Sequence, residues 1–271
     1  MVVFPNCKIN LGLHIRRKKA DGYHDLETIF YPIQQKDILE IIPSPSGKFR
    51  FQQEGITIEG LPESNLCVKA YHLLKQDFPE LPNIEMFLYK TIPTGAGLGG
   101  GSADGAFALM LLNNKFKLNL TQEQLCQYAL QLGSDCPFFI WNKPVFAELR
   151  GEKMQEINID LSGFYIVVVN PGIHVNTGKA FQALTLDDSE SHFTQIANEP
   201  IENWKNILFN DFEPVVFAQY PAIENLKNQL YKNGAAYASM SGTGSSCFGI
   251  FREVPNLSFL PEEYFRANFR L

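Results

Sequence analysis

Five glycines fall within seven residues, Gly95 to Gly101, in the run Thr91-Ile92-Pro93-Thr94-Gly95-Ala96-Gly97-Leu98-Gly99-Gly100-Gly101-Ser102-Ala103-Asp104. Glycine loses more freedom on ordering than any other residue, so a folded chain that keeps so many together needs a use for them. A loop whose bare amides close around an anion, with a helix N-terminus behind it, is such a use. The flanks agree: Ile84 to Tyr89 reads as a strand and Ala103 to Leu112 as an apolar helix, with Ser102 as its expected cap. The Walker A ending is missing, because Gly178-Lys179 is followed by Ala180 and Gly47-Lys48 by Phe49. Gly95, Gly97 and Gly100 have the dinucleotide spacing, but that fingerprint wants an acid about 20 residues on. The nearest, Glu123, lies in a predicted helix. Nucleotide phosphate binding is the reading; a purely structural glycine turn is the alternative.

A net charge of −6, from 23 basic and 29 acidic residues, argues against an electrostatic nucleic-acid binder but not against a small anion in a local pocket. Hydrophobic residues make up 45% of the 271, enough for a sizeable core in one large or two smaller domains. The five cysteines, Cys7, Cys67, Cys126, Cys136 and Cys247, show no CxxC spacing, so neither a disulfide framework nor a zinc site is expected. No signal peptide or membrane span is read, and the cytoplasm is the expected compartment.

Along the chain, Cys7 to Ile15 alternates, with Lys8, Asn10, Gly12 and His14 sharing one face of a strand. Asp21-Gly22 signals a turn before Tyr23 and His24, which are either loop residues or ligand contacts. Leu26 to Tyr31 reads as a strand stopped by Pro32, Asp37 to Ile42 as another, and Phe49 to Ile58 as a hairpin region. Asn65 caps a helix, and Thr121 with Gln124 forms a capping box for the next, ending near Leu132. Pro137 biases Cys136 away from helix, leaving Asp135 as a turn residue bonded to amides or as a working carboxylate. Residues 143–163 read as loop, Tyr165 to Asn170 as a buried strand, and Thr177 as a helix cap. The stretch 186–200 reads as an exposed connection, followed by short helices at 204–208 and 211–217 and a longer one at 221–231. Strands at 235–239 and 246–251 flank a second Gly/Ser loop, and 264–271 alternates like an edge strand.

Three segments in order, Lys8-Ile9-Asn10-Leu11, Pro93 to Asp104, and Gly242-Thr243-Gly244-Ser245-Ser246-Cys247-Phe248-Gly249, resemble the GHMP small-molecule kinases over nearly the whole chain. The resemblance implies an α+β two-domain fold: an ATP-binding N-terminal domain, residues 1–160, like ribosomal protein S5 domain two, and a ferredoxin-like C-terminal domain, residues 161–271. Gly22-Tyr23-His24 points within the family to an acceptor that is a cytidine diphosphate-linked methylerythritol; a small alcohol such as homoserine or mevalonate is the alternative.

The resemblance also implies roles. Asp135 resembles the family base, and Lys8 the lysine beside it. Pro93, Gly95, Ala96, Gly97, Leu98, Gly99, Gly100, Gly101 and Ser102 would hold ATP, with Asn65 and Lys90 on the nucleotide side. Asn10, Tyr23, His24, Thr177, Phe181 and Gly242, with Asp135, would meet the acceptor, Tyr23 and His24 at its cytosine. ATP implies Mg2+; no firm carboxylate stands out for it, Asp104 and a water-mediated set both remaining open. The expected partners are ATP and the acceptor alcohol, without nucleic acid or membrane, for a monomer or weak homodimer. Gly105 stands where the family usually has alanine.

Overall fold

The computed structural model describes every residue except Asp21 and Glu59. The Asp21 half of the expected turn therefore lies outside the described residues. Contacts group the chain into two compact units that interleave in sequence rather than parting at residue 160. The first comprises Met1–Cys7, Pro32–Thr94 and Gly99–Lys143; the second comprises Lys8–Tyr31, Gly95–Leu98 and Pro144–Leu271.

Strands β1 (Val2–Val3), β2 (Asn6–Lys18), β3 (His24–Lys36), β4 (Ile38–Pro43) and β5 (Arg50–Gly55) open the chain. Strand β3 runs on through Pro32, past the end of its pairing with the strand at 145–149, which covers Leu26 to Phe30. Helix α1 (Leu66–Asp77) follows, then β6 (Ile84–Lys90) and helices α2 (Gly100–Phe116), α3 (Gln122–Leu132) and α4 (Cys136–Trp141). The first unit holds a sheet of order β1-β4-β6-β5. There is no hairpin at 49–58: β5 pairs parallel with β6, from Arg50 opposite Glu85 to Gly55 opposite Lys90. Ala103, Ala106, Leu109 and Leu112 of α2 are fully buried. Gly105 allows that packing, because a Cβ there would lie 2.9 Å from Leu66 Cβ on α1.

Three helix starts differ from expectation. Helix α2 begins three residues early, capped by Gly99 at φ 68°, with Ser102 already in its first turn. A left-handed cap is cheap only for glycine. Cys136 is helical in spite of Pro137, because a proline in the first turn removes an amide that has no helical partner. Asn176, not Thr177, caps α5 (Thr177–Gln182), its Oδ1 accepting from Lys179 N at 3.0 Å. The capping box at Thr121 is present as read.

The second unit contains β7 (Val145–Leu149) and β8 (Lys153–Glu156), an antiparallel hairpin where a loop was expected. Its sheet order is β2-β3-β7-β8. Strand β9 (Tyr165–Asn170), helices α6 (Phe212–Gln219) and α7 (Pro221–Lys232), and strands β10 (Tyr237–Met240), β11 (Cys247–Phe251) and β12 (Phe265–Arg270) follow. They form a sheet of order β10-β11-β9-β12, all antiparallel, with β12 at the edge as its alternation indicates. The core includes Leu13, Ile15, Val167, Val169, Phe212 and Ile223. The stretch 186–200 is not all exposed: a short 3-10 helix, Phe193–Asn198, buries Phe193 and Ile196. Among the described residues no helix is long and apolar enough to cross a membrane.

Candidate active site

In the first unit the glycine loop leaves β6 and returns as α2. Asn65 caps α1, its Oδ1 accepting from Cys67 N at 2.9 Å. The Ser102 side chain lies close to the thiol of Cys136, the residue after Asp135. Burial pushes that thiol up to about 12, so Cys136 is an inert neighbour and not a nucleophile. Asp135 is half-buried at the start of α4 and makes no side-chain cap bond to its own helix.

Lys90 corrects an expectation. Its side chain is fully buried, and its ammonium lies against Asp37 and donates to Asp104 Oδ2 at 2.7 Å. It is not held out for a nucleotide, nor is Asp104 available to a metal ion. Asp37 Oδ1 accepts from the amides of Thr91 at 2.6 Å and Ile92 at 2.9 Å. Burial alone would lower the Lys90 pKa, but the two carboxylates carry it above the ordinary lysine value. Burial, with the push of Asp37 and against the pull of Lys90, raises Asp104 to about 8. One ammonium, one carboxylate and one protonated carboxyl make a neutral cluster, which costs less to bury than a net charge.

The raised Asp104 sets a pH dependence. Its folded value exceeds the ordinary 3.8, so its proton stabilises the fold fully in acid, and that contribution is lost as pH rises through about 8. Between about pH 5 and pH 8 the wild type should lose stability relative to Asp104→Asn, which has no such titration. Urea midpoints of both proteins at several pH values check this; a constant gap would show that the carboxyl does not titrate there.

In the second unit Lys8 Nζ donates to Asn10 Oδ1 at 2.6 Å and sits 4.9 Å from the Phe30 ring centroid. Its amide donates to Leu98 O at 2.9 Å, fixing strand β2 to the tip of the glycine loop. Asn10 Nδ2 donates to Thr28 Oγ1 at 2.8 Å, and Asn10 N to Ser241 Oγ at 3.2 Å. Ser241 Oγ donates in turn to Gly97 O at 2.8 Å. Gly95, Gly97 and Gly99 all have left-handed φ, at 63°, 78° and 68°. Alternation of left-handed glycines with ordinary residues turns successive amides to one side, an anion-binding concavity. Ala96 and Leu98 bury their side chains, leaving main chain to face a ligand, and Ala96 O accepts from Ser246 N at 3.2 Å. Pro93 precedes this tip, and Gly100 and Gly101 open α2.

The predicted acceptor residues other than Asp135 belong to this same unit. His24 stacks on Phe181 with ring centroids 4.7 Å apart, and Phe181 meets Phe212 edge-on at 4.8 Å. Burial, then the nearby Lys18 charge, lowers the His24 pKa, favouring a neutral ring. Tyr23 is 51% exposed, with the Arg150 guanidinium 3.5 Å from its ring centroid. Thr177 Oγ1 lies 3.1 Å from Thr243 Oγ1. Gly242 has φ 59°, and its carbonyl accepts from Asn210 Nδ2 at 2.9 Å. Sequence reasoning missed Thr28, Asp37, Ser241 and Arg150 as parts of these groups. Only Ser241, inside the Gly/Ser loop, carried a local signal. Among the described residues no group of three or more His, Cys, Asp and Glu is placed to hold a metal ion.

The profile of the GHMP kinases N terminal domain matches residues 65–143, and that of the GHMP kinases C terminal region matches 193–258. The chain belongs to the GHMP kinases. Such kinases transfer phosphate from ATP to a small molecule, and the two-domain α+β fold is theirs. A 4-diphosphocytidyl-2-C-methyl-D-erythritol kinase of Bacteroides fragilis is 52% identical over 253 residues, covering 93% of this chain and 92% of that one. The crystal structure of a 4-(cytidine 5'-diphospho)-2C-methyl-D-erythritol kinase superposes with a TM-score of 0.78 at 27% identity, covering 92% of this GHMP kinase and 90% of that chain. A homoserine kinase of Cytophaga hutchinsonii, with a TM-score of 0.69 at 15% identity over 99% of this chain and 92% of its own, shares the fold.

Proposed function

We propose that this GHMP kinase moves the γ-phosphoryl group of ATP to the 2-hydroxyl of 4-(cytidine 5'-diphospho)-2-C-methyl-D-erythritol, a step in isoprenoid precursor synthesis. The observation that carries the reading is the 52% identity over nearly both lengths to a relative bearing that activity in its name. The loop amides from Gly97 to Ser102 hold the ATP phosphates, helped by the field of the α2 N-terminus. Magnesium arrives as part of the ATP substrate and offsets phosphate charge. Asp135 accepts the proton of the attacking hydroxyl. Lys8 supplies positive charge to the transferring group, and Asn10 holds its ammonium in place. Tyr23, His24 and Phe181 meet the cytosine, with Thr177 and Gly242 on the same side. All five cysteines are free thiols, in keeping with a reducing cytoplasm.

The direct test supplies ATP, magnesium and the cytidine diphosphate-linked alcohol and follows the phosphate ester. Homoserine and mevalonate are run beside it; turnover of either in preference would replace this acceptor. Tyr23→Ala should raise the KM of the alcohol roughly tenfold or more, as loss of one base-stacking ring does, with the ATP KM nearly unchanged. The opposite split would move Tyr23 to the nucleotide side.

A further inference from the structure

We infer that Asp37, Lys90 and Asp104 are positioning residues for ATP: they tie together the two stems of the glycine loop before nucleotide arrives. The inference rests on the nucleotide reading of that loop.

The incoming stem is Lys90 to Ile92, at the end of β6, and the outgoing stem is Gly100 to Asp104, the first turns of α2. Asp37 Oδ1 takes the amides of both Thr91 and Ile92, fixing the main chain just before Pro93. Asp37 is itself anchored, its amide donating to Pro5 O at 2.8 Å. Lys90, on the incoming stem, reaches across to Asp104 on the outgoing one at 2.7 Å. Between them the stems touch: a Cβ on Gly100 would lie 2.8 Å from Ile92 Cγ2 and 3.4 Å from Lys90 Nζ. The cluster is sealed, with Lys90 and Asp37 side chains at 0% exposure and Asp104 at 2%. None of the three is placed to touch a ligand, so any effect on ATP must pass through the loop.

Seven residues, 93–99, span the stems, and four of them are glycine or proline. A span so rich in glycine populates many conformations unless its ends are fixed. Fixing them beforehand removes an ordering cost from ATP binding. A charged cluster does this more sharply than an apolar contact, because hydrogen bonds to charge fix direction as well as distance.

The test measures ADP affinity by calorimetry and the KM of each substrate for wild type, Lys90→Met and Asp104→Asn. Lys90→Met should weaken ADP binding about tenfold or more and raise the ATP KM alike. The KM of the alcohol and kcat at saturating ATP should stay within about twofold. Asp104→Asn keeps an acceptor for Lys90 and should retain most of the affinity, the rescue expected of a hydrogen-bonding role. If Lys90→Met fails to fold, Asp37→Asn, which removes one charge at nearly constant volume, takes its place with the same split expected. Variants that melt earlier yet bind ADP as wild type does would reduce the cluster to a structural one and overturn the inference. A wild type that binds no ADP would sink the nucleotide reading itself, a result separate from unchanged affinity in a variant.

Discussion

Asp135→Asn should bind ATP nearly as the wild type does while losing about 10²–10⁴-fold in the rate of phosphoryl transfer. The change is almost isosteric and removes only the capacity to take a proton. The local structure supports a clean result. Asp135 makes no side-chain cap bond to α4. Its neighbours Cys136, Pro137, Phe138 and Phe139 are buried and anchor the segment without it. Single-turnover kinetics with a separate measurement of ATP binding would check both halves. Transfer at the wild-type rate would remove Asp135 from the base role; parallel loss of ATP binding would make it a structural residue.

Gly97→Ala should be the most damaging change in the loop. A Cβ at this position would lie 1.9 Å from Ser241 O and 2.8 Å from Ser241 C, both main-chain atoms that cannot swing away. The φ of 78° adds left-handed strain. Together the overpacking and strain cost about 2–5 kcal/mol, and relief requires Ser241 to leave Gly97 O and Asn10. Thermal unfolding should show the loss, and the ATP KM of whatever remains folded should rise. Gly95→Ala is the control for stability: φ is 63° there too, but nothing lies within 4 Å of its Cβ. It should lose only the strain, about 1–2 kcal/mol. Equal destabilisation by the two changes would mean that the contact with Ser241 carries no weight.

What could be read from the sequence was what lies in short windows. Tyr165 to Asn170 emerged with its bounds because a buried strand is a continuous apolar run. Helix α3 emerged because its capping box is written within four residues, Thr121 to Gln124. The glycine loop announced itself because left-handed backbone at Gly95, Gly97 and Gly99 favours glycine. The misses are tertiary. Nothing near Arg50 says that β5 will lie parallel to β6, because parallel pairing is decided by the crossover. Lys90 looked like a lysine at a strand end, and its partners Asp37 and Asp104 lie 53 and 14 residues away. The Ser241 hydroxyl is 231 residues from the Asn10 amide it receives. The site residues were thus named largely by motif, while the hydrogen bonds that hold them were not legible.

The interleaving of the units has a consequence for biosynthesis. Lys8 to Tyr31 and the loop tip Gly95–Leu98 belong to a unit whose remainder is Pro144 to Leu271. As the ribosome releases the chain, β2 meets its sheet neighbour β3 at once but two further partners only late: Tyr237, whose hydroxyl donates to Leu11 O, and Ser241 at Asn10. Contacts of such separation form slowly. A nascent chain stopped near its middle would therefore carry the glycine-rich segment in full yet lack the carboxy-terminal atoms that hold its tip.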